Sequence, residues 1–297
     1  MTLTVVTVSP RVAPGLLALP AWDALRAGPV RCLDPDHPHL AALAEAGVAV
    51  ELVDEVPTDG VLLCGGAVPD AVPAERTVIA GAWDLPGAHL LDAVAVMDRL
   101  RSPGGCPWDA EQTHRSLMPY LLEEAYEAYQ ALEDDDDPGL REELGDLLLQ
   151  VLFHARLAEE RAGVPGADAW SIDDVADELV DKLVSRHPHV FARTDGDAPI
   201  DAGQVNARWE ELKAEQKGRT SVTDGVPLAM AALSLAAKLQ RRAAKAGVPD
   251  VDFDAGPGLG AELWGLVARA RAEGIDPEEE LRTVARAYRD HLVSGGH

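Results

Sequence analysis

The stretch that decides the fold runs Leu122-Glu-Glu-Ala-Tyr-Glu127 and resumes as Glu142-Glu-Leu-Gly-Asp-Leu-Leu148. Each half reads as part of a helix. Residues three apart on a helix differ by about 60° in azimuth, so their side chains share a face one turn apart. Glu124 with Glu127 therefore form one carboxylate pair, and Glu143 with Asp146 form another. The surrounding apolar spacing is also helical. One helix is expected over 116–132 and a second over 140–162, the latter with Leu144, Leu147, Leu148, Val151, Leu152 and Ala155 on one face. The link between them, about 133–139, holds the acidic run Glu133–Asp137, read as a solvated turn, and then Pro138-Gly139. So short a link predicts antiparallel packing, which can bring the two carboxylate pairs together.

Four carboxylates beside an apolar stripe must protonate or bind cations. All four are hard oxygen ligands, and no Cys or His stands among them. That donor set selects Mg²⁺, with Mn²⁺ as a substitute, over zinc or copper. Ferritin-like di-iron sites need Glu-x-x-His pairs, whereas here the third residue on is Glu or Asp. One such motif is common on a solvated helix face. Two on consecutive helices, each beside a dense apolar run, point to a metal site with open positions for phosphate oxygens and water.

The remaining candidates would serve a phosphorylated ligand. Lys182 and Arg186 are spaced i, i+4 and could clamp phosphates, or could instead pair with Glu178 or Asp181. Trp108, Gln112 and His114 could read a base by stacking and hydrogen bonding; the alternative is a loop anchored by a buried Trp. Trp209 and Lys213 repeat the i, i+4 spacing and could add stacking and charge, or simply pack a helix. His187 and His189 flank Pro188 and read as helix-stop packing, and Cys106 reads as structural.

Moving outward, three blocks emerge. Residues 1–88 carry strand candidates at 3–8, 48–53, 60–63 and 77–80 between weak helices, punctuated by Gly and Pro, as in a small α/β domain. They hold no Gly-x-Gly-x-x-Gly and no phosphate loop. Residues 89–217 are helical. They start with Leu90, Leu91, Val94, Met97 and Leu100 on one face, break at 102–107, and later restart at a Ser171 N-cap followed by Asp173 and Asp174. A further helix is expected near 205–217. Residues 218–297 are helical again, with a Gly/Pro-rich break at 247–260.

Composition narrows the function classes. The 297 residues hold 26 Lys plus Arg against 51 Asp plus Glu, a net charge of −25, opposite to what a nucleic-acid polymer binder needs. No stretch approaches the ~20 apolar residues of a membrane helix. The N-terminus has no basic n-region, and Cys32, Cys64 and Cys106 are too far apart for a Cys-x-x-Cys pair, so a reducing cytoplasm is expected.

The motif set resembles the MazG family of nucleoside triphosphate pyrophosphohydrolases. The resemblance spans about residues 90–217. It rests on Gly105-Cys-Pro-Trp-Asp109 with Glu111-Gln-Thr113, on the two acidic motifs, and on Lys182 with Arg186-His-Pro-His-Val-Phe191. It implies a mainly α protein, an all-α helical bundle that forms a homodimer, here preceded by the α/β domain. The implied reaction is NTP + H₂O → NMP + diphosphate, a nucleotide-pool house-cleaning activity. By motif position Glu124, Glu127, Glu143 and Asp146 would hold Mg²⁺. Lys182 and Arg186 would bind the triphosphate, and Glu123 or Glu127 would orient the water. A narrower dUTP or dCTP hydrolase, or a non-catalytic acidic adaptor, are the competing readings.

An internal echo adds one departure. Glu143–Leu149 aligns with Gly258–Trp264 at an offset of 115, with Gly258 and Ala261 in place of Glu143 and Asp146. Residues 218–297 thus read as a degenerate second copy without its acids.

Overall fold

The computed structural model describes residues 2–192, 201, 203, 205, 221–248, 253 and 255–295. Apart from Val205, the helix expected near 205–217, with Trp209 and Lys213, lies outside the described residues. The chain divides into two compact units, Met1–Leu179 and Val180–His297.

The first unit opens with a five-stranded parallel sheet: β1 (Leu3–Val8), β2 (Val30–Cys32), β3 (Val50–Leu52), β4 (Val61–Gly65) and β5 (Arg76–Ala80), in the order β3-β2-β4-β1-β5. Helices α1 (Leu19–Ala27) and α2 (Leu40–Glu45) follow β1 and β2. The central strands are nearly continuous apolar runs because both of their faces are covered. Val6 pairs with Leu63 and Ile79 in the ladder, and Val6 and Leu63 turn to the face packed by Ala21, Leu25 and Leu43. Their neighbours Val5 and Leu62 turn to the other face, against Val72, Val56 and Val68. Strand β2 escapes the sequence reading. It is three residues long with Arg31 at its centre, too short to show a period, and Arg31 pairs outward with Glu51 and Asp59.

The helical part of this unit contains α3 (Leu90–Arg101), α4 (Pro107–Glu111), α5 (Met118–Glu133), α6 (Asp137–Glu159) and the start of α7 (Ile172–Arg186). Helix α6 packs on α5 and on α3. The core between them is Met97, Leu117, Leu152, Phe153 and Leu157. Two details differ from the sequence expectation. The α5–α6 link is only residues 134–136, because Pro138 starts α6 rather than ending α5; its fixed φ and missing N–H suit a first turn. The apolar faces are also divided. Leu152 and Ala155 are buried, whereas Leu144, Val151, Leu90 and Leu91 are exposed. No described residue of the chain covers them.

The link that joins the acidic helices is tightly specified. Asp136 caps α6 by accepting from the Gly139 N–H at 3.1 Å, and its own N–H donates to the Ala131 carbonyl at 2.9 Å. A Cβ at Gly139 would lie 2.5 Å from Asp136 Oδ2, so a side chain there would displace the capping carboxylate. Helix α7 begins as expected from its acids, with Asp174 accepting from the Ser171 N–H at 2.7 Å and the Ser171 hydroxyl at 2.9 Å.

Polar contacts also tie the sheet to α3. The Arg11 guanidinium donates to Asp84 at 2.6 Å and to Asp92 of α3 at 2.9 Å, while the Ser9 hydroxyl donates to Asp84.

The second unit holds the end of α7 and α8 (Pro188–Phe191). Beyond them come α9 (Ala232–Lys245), α10 (Leu259–Ala272) and α11 (Pro277–Ser294), which pack on one another. Gln240 is buried among them, donating to the Trp264 carbonyl and accepting from Arg271, both at 3.0 Å. Glu278, Glu279 and Glu280 fill the first turn of α11, where their charge complements the helix dipole. Among the described residues, no helix is long and apolar enough to cross a membrane.

Candidate active site

The site is built on the α5–α6 hairpin. Met118–Glu133 winds with no β-branched residue, and its first turn carries Pro119, so Glu123, Glu124 and Glu127 fall in the middle of a continuous helix. The three-residue link then sets Glu143 and Asp146 at the same level of the antiparallel partner. One carboxylate oxygen from each of Glu124, Glu127 and Glu143 lies within 4.8 Å of the others. Among the described residues this is the sole group of three or more His, Cys, Asp or Glu that converge so closely.

Asp146 stands outside that 4.8 Å group but acts on it by charge. The Glu124 carboxyl is raised above its usual range, first by burial, then by the Asp146 charge, by hydrogen bonding and charge from Glu127, and by Glu143. Glu143 is raised too, by burial and then by Glu127, Asp146 and Glu142. The helices thus hold four acids together against their mutual repulsion. A dication is the species that relieves this, and an all-carboxylate oxygen set suits Mg²⁺ or Mn²⁺. Glu123 is exposed on α5, one turn from Glu127 and outside the converging group.

The segment before α5 bears the other candidates. Trp108 is not a buried anchor: it is 51% exposed and meets Tyr120 edge-on with centroids 6.1 Å apart. The buried member of that short helix is Asp109. Gln112 is engaged at both ends, donating to the Trp108 carbonyl at 3.0 Å and accepting from Ser116 at 2.7 Å. Thr113 and Ser116 cap one another reciprocally and start the run into α5. His114 meets His154 of α6 edge to edge, one Nδ1–H donating to the other Nδ1 at 2.8 Å with the rings inclined by 9° and centroids 5.1 Å apart, and the Trp170 ring lies 6.3 Å from that of His114. Burial, and then the His114 charge, push the His154 imidazole below its ordinary value. Tyr120, His154 and Trp170 escaped the sequence reading, since each meets its partner across elements and follows no local period.

Lys182 and Arg186 lie one turn apart near the end of α7, Lys182 exposed and Arg186 half-buried. They belong to the second unit. His187 does stop α7: its Nδ1 lies 2.6 Å from the Leu183 carbonyl.

Residues 112–191 match the MazG nucleotide pyrophosphohydrolase domain. An uncharacterized 26.1 kDa protein of Streptomyces cacaoi is 48% identical over 236 residues, covering 79% of this chain and 93% of its own. A protein of Mycolicibacterium smegmatis named nucleoside triphosphate pyrophosphohydrolase is 40% identical over 278 residues, covering 92% of this chain and 71% of its own. One of the same name from Mycobacterium tuberculosis is 52% identical over 206 residues, covering 69% of this chain and 58% of its own. With the acidic hairpin, these likenesses show that the chain belongs to the MazG family of nucleotide pyrophosphohydrolases.

Proposed function

We propose that this hydrolase cleaves nucleoside triphosphates between the α and β phosphates, NTP + H₂O → NMP + diphosphate, in a Mg²⁺-dependent reaction that clears the nucleotide pool. The observation that carries the reading is the convergence of Glu124, Glu127 and Glu143 within 4.8 Å, with the Asp146 charge acting on Glu124 and Glu143. These four residues would hold the cation. Bound there, a divalent ion neutralises phosphate oxygens and lowers the pKa of water at neutral pH.

The chain's own groups do the rest. Glu123, or Glu127 in a double role, accepts a proton from the attacking water and orients it toward the α-phosphorus. Lys182 and Arg186 neutralise the outer phosphates, which a protein of net charge −25 would otherwise repel. The exposed Trp108 ring stacks on the base, and His114 hydrogen-bonds it; Gln112 must exchange its Trp108 or Ser116 partner to reach a ligand. Trp209 and Lys213 add stacking and charge from beyond the described residues.

A second copy of the chain covers the bundle. Leu121, Leu122, Tyr126, Tyr129 and Leu132 on α5 and Leu144, Leu149 and Val151 on α6 are exposed, an apolar surface too extensive to suit water. We read residues 218–297 as a degenerate second copy that supports packing. Gly258 there is the N-cap of α10, and neither it nor Ala261 offers a carboxylate. The free cysteines Cys32, Cys64 and Cys106 suit a reducing cytoplasm.

Product analysis tests the reaction. Incubation with NTPs and Mg²⁺ should give NMP and diphosphate; NDP and phosphate would reject it. A substrate panel separates a broad NTP hydrolase from a dUTP- or dCTP-specific one.

A further inference from the structure

Helix α4 presents the exposed Trp108 ring, yet at five residues it is too short to hold its own shape. Its backbone is pinned from behind. The Arg101 side chain, only 5% exposed, donates one nitrogen to the Asp109 carbonyl of α4. Its other two nitrogens make a bidentate pair with Glu160, at the C-terminal end of α6, at 2.7 Å each. Its guanidinium also lies 5.3 Å from the Phe153 ring centroid, on the core of the bundle. Glu160 is fixed in turn by Arg156 at 3.3 Å, and Arg156 by Asp98 of α3 at 3.0 Å. The preceding carbonyl, that of Trp108, is held by Gln112. Two successive carbonyls of α4 are therefore tied, one of them to the helix that carries Glu143 and Asp146.

We infer that Arg101, clamped by Glu160, is a positioning residue that fixes α4 so that the Trp108 ring meets the base at a set distance from the acidic cluster. The inference rests on the proposed contact between Trp108 and the nucleotide. A guanidinium suits the task because its planar fork serves a carboxylate and a carbonyl at once, which an ammonium on a flexible stem does not. Exposed aromatic surface on a fixed backbone binds without first having to be ordered.

The test compares wild type, Arg101→Lys, Glu160→Gln, Trp108→Ala and the Arg101→Lys/Trp108→Ala double variant, with circular dichroism to confirm folding. Amide exchange over residues 107–112 reads the clamp itself, and steady-state kinetics with ATP and Mg²⁺ read its use. Arg101→Lys and Glu160→Gln should speed exchange over 107–112. They should raise KM about tenfold with kcat within about twofold, the pattern of lost binding rather than lost chemistry. The double variant should be no worse than Trp108→Ala alone, because both act through one ring. Unchanged exchange in both Arg101→Lys and Glu160→Gln overturns the clamp. Faster exchange with unchanged KM, while Trp108→Ala does raise KM, overturns the positioning role, as do multiplying effects in the double variant. If Trp108→Ala itself leaves KM unchanged, the nucleotide contact fails, and the inference falls with it. The two failures thus appear in different variants.

Discussion

Glu127 of α5 and Glu143 of α6 belong to opposite arms of a hairpin, yet a carboxylate oxygen of each lies within 4.8 Å of the other and of Glu124. Contacts of this kind are unfavourable unless something positive sits between them. The fold imposes the approach through a three-residue link and the apolar packing of α6, and the repulsion counts against the stability of the metal-free hairpin.

Replacing one acid should separate those two roles. Glu127→Gln and Asp146→Asn each remove one of the four carboxylates proposed to hold the cation. Even outer-shell changes at metal sites cost 10–100-fold, so activity should fall by more than about 100-fold. The metal-free fold should keep its thermal midpoint or gain slightly, because one repulsive charge is gone. Adding Mg²⁺ or Mn²⁺ should raise the midpoint of the wild-type protein and not of the variants, since only a ligand that binds the native state stabilises it. Differential scanning fluorimetry with and without the ion, beside a diphosphate-release assay, checks all three. Wild-type rates in both variants would remove these acids from the site.

Lys182→Ala addresses the other charge. The side chain is exposed near the end of α7, so its loss should leave folding intact. A charge-assisted hydrogen bond to phosphate is worth roughly 1.5–3 kcal/mol, so KM for ATP should rise about tenfold or more. Metal affinity of the nucleotide-free protein, measured by calorimetry with Mn²⁺, should not change. An unchanged KM would place Lys182 outside the site.

The hairpin link offers a purely structural check. Gly139→Ala puts a Cβ 2.5 Å from Asp136 Oδ2, so the capping carboxylate must shift and its bond to the residue-139 N–H should weaken. Loss of an N-cap lowers stability by about 1 kcal/mol. Urea denaturation should show that loss, accompanied by reduced turnover as the two acid pairs shift out of level. Stability equal to wild type would mean that the link tolerates a side chain.

How much of this was legible beforehand depends on whether the signal was local. The acid pairs were, since their spacing and apolar surroundings lie within one helix each. The Ser171 cap and β1 were legible for the same reason, and β1 occupies Leu3–Val8 as read. Helix α4 was missed because Gly104-Gly105-Cys106-Pro107 reads as a break. The chain does turn there: a Cβ at Gly105 would lie 2.1 Å from the Leu100 carbonyl, and Pro107 then opens a new helix. The Arg101–Glu160 pair and the His114–His154 hydrogen bond join residues 59 and 40 positions apart, and no periodicity reports such a meeting. The outward turn of Leu144 and Val151 was hidden differently. A helix apolar on more than one side shows which residues seek cover, and not what covers them.

The histidines at the sheet give a pH prediction. His37 is 3% exposed and His39 fully buried, packed between the loops that follow β1 and β2. His39 Nδ1 accepts the Gly15 N–H at 3.1 Å, and His37 Nδ1 accepts the His39 N–H at 3.3 Å. Protonating either nitrogen would set two donors face to face. Burial lowers the pKa of both rings, with the His39 charge adding to the effect on His37. Unfolded, each titrates near its ordinary value of about 6.5. Above that pH both states are neutral and stability is full. As the pH falls below it, the unfolded chain takes up protons that the native state refuses, so stability drops. The limiting slope is about 1.4 kcal/mol per pH unit for each ring. Denaturant titrations between pH 5 and 7.5, followed by amide exchange in β1 and β4, should show this decline. His39→Asn keeps an acceptor for the Gly15 N–H and removes one titrating ring, so it should lower the slope by up to about 1.4 kcal/mol per pH unit. A slope equal to wild type in that variant would assign the acid sensitivity to other groups.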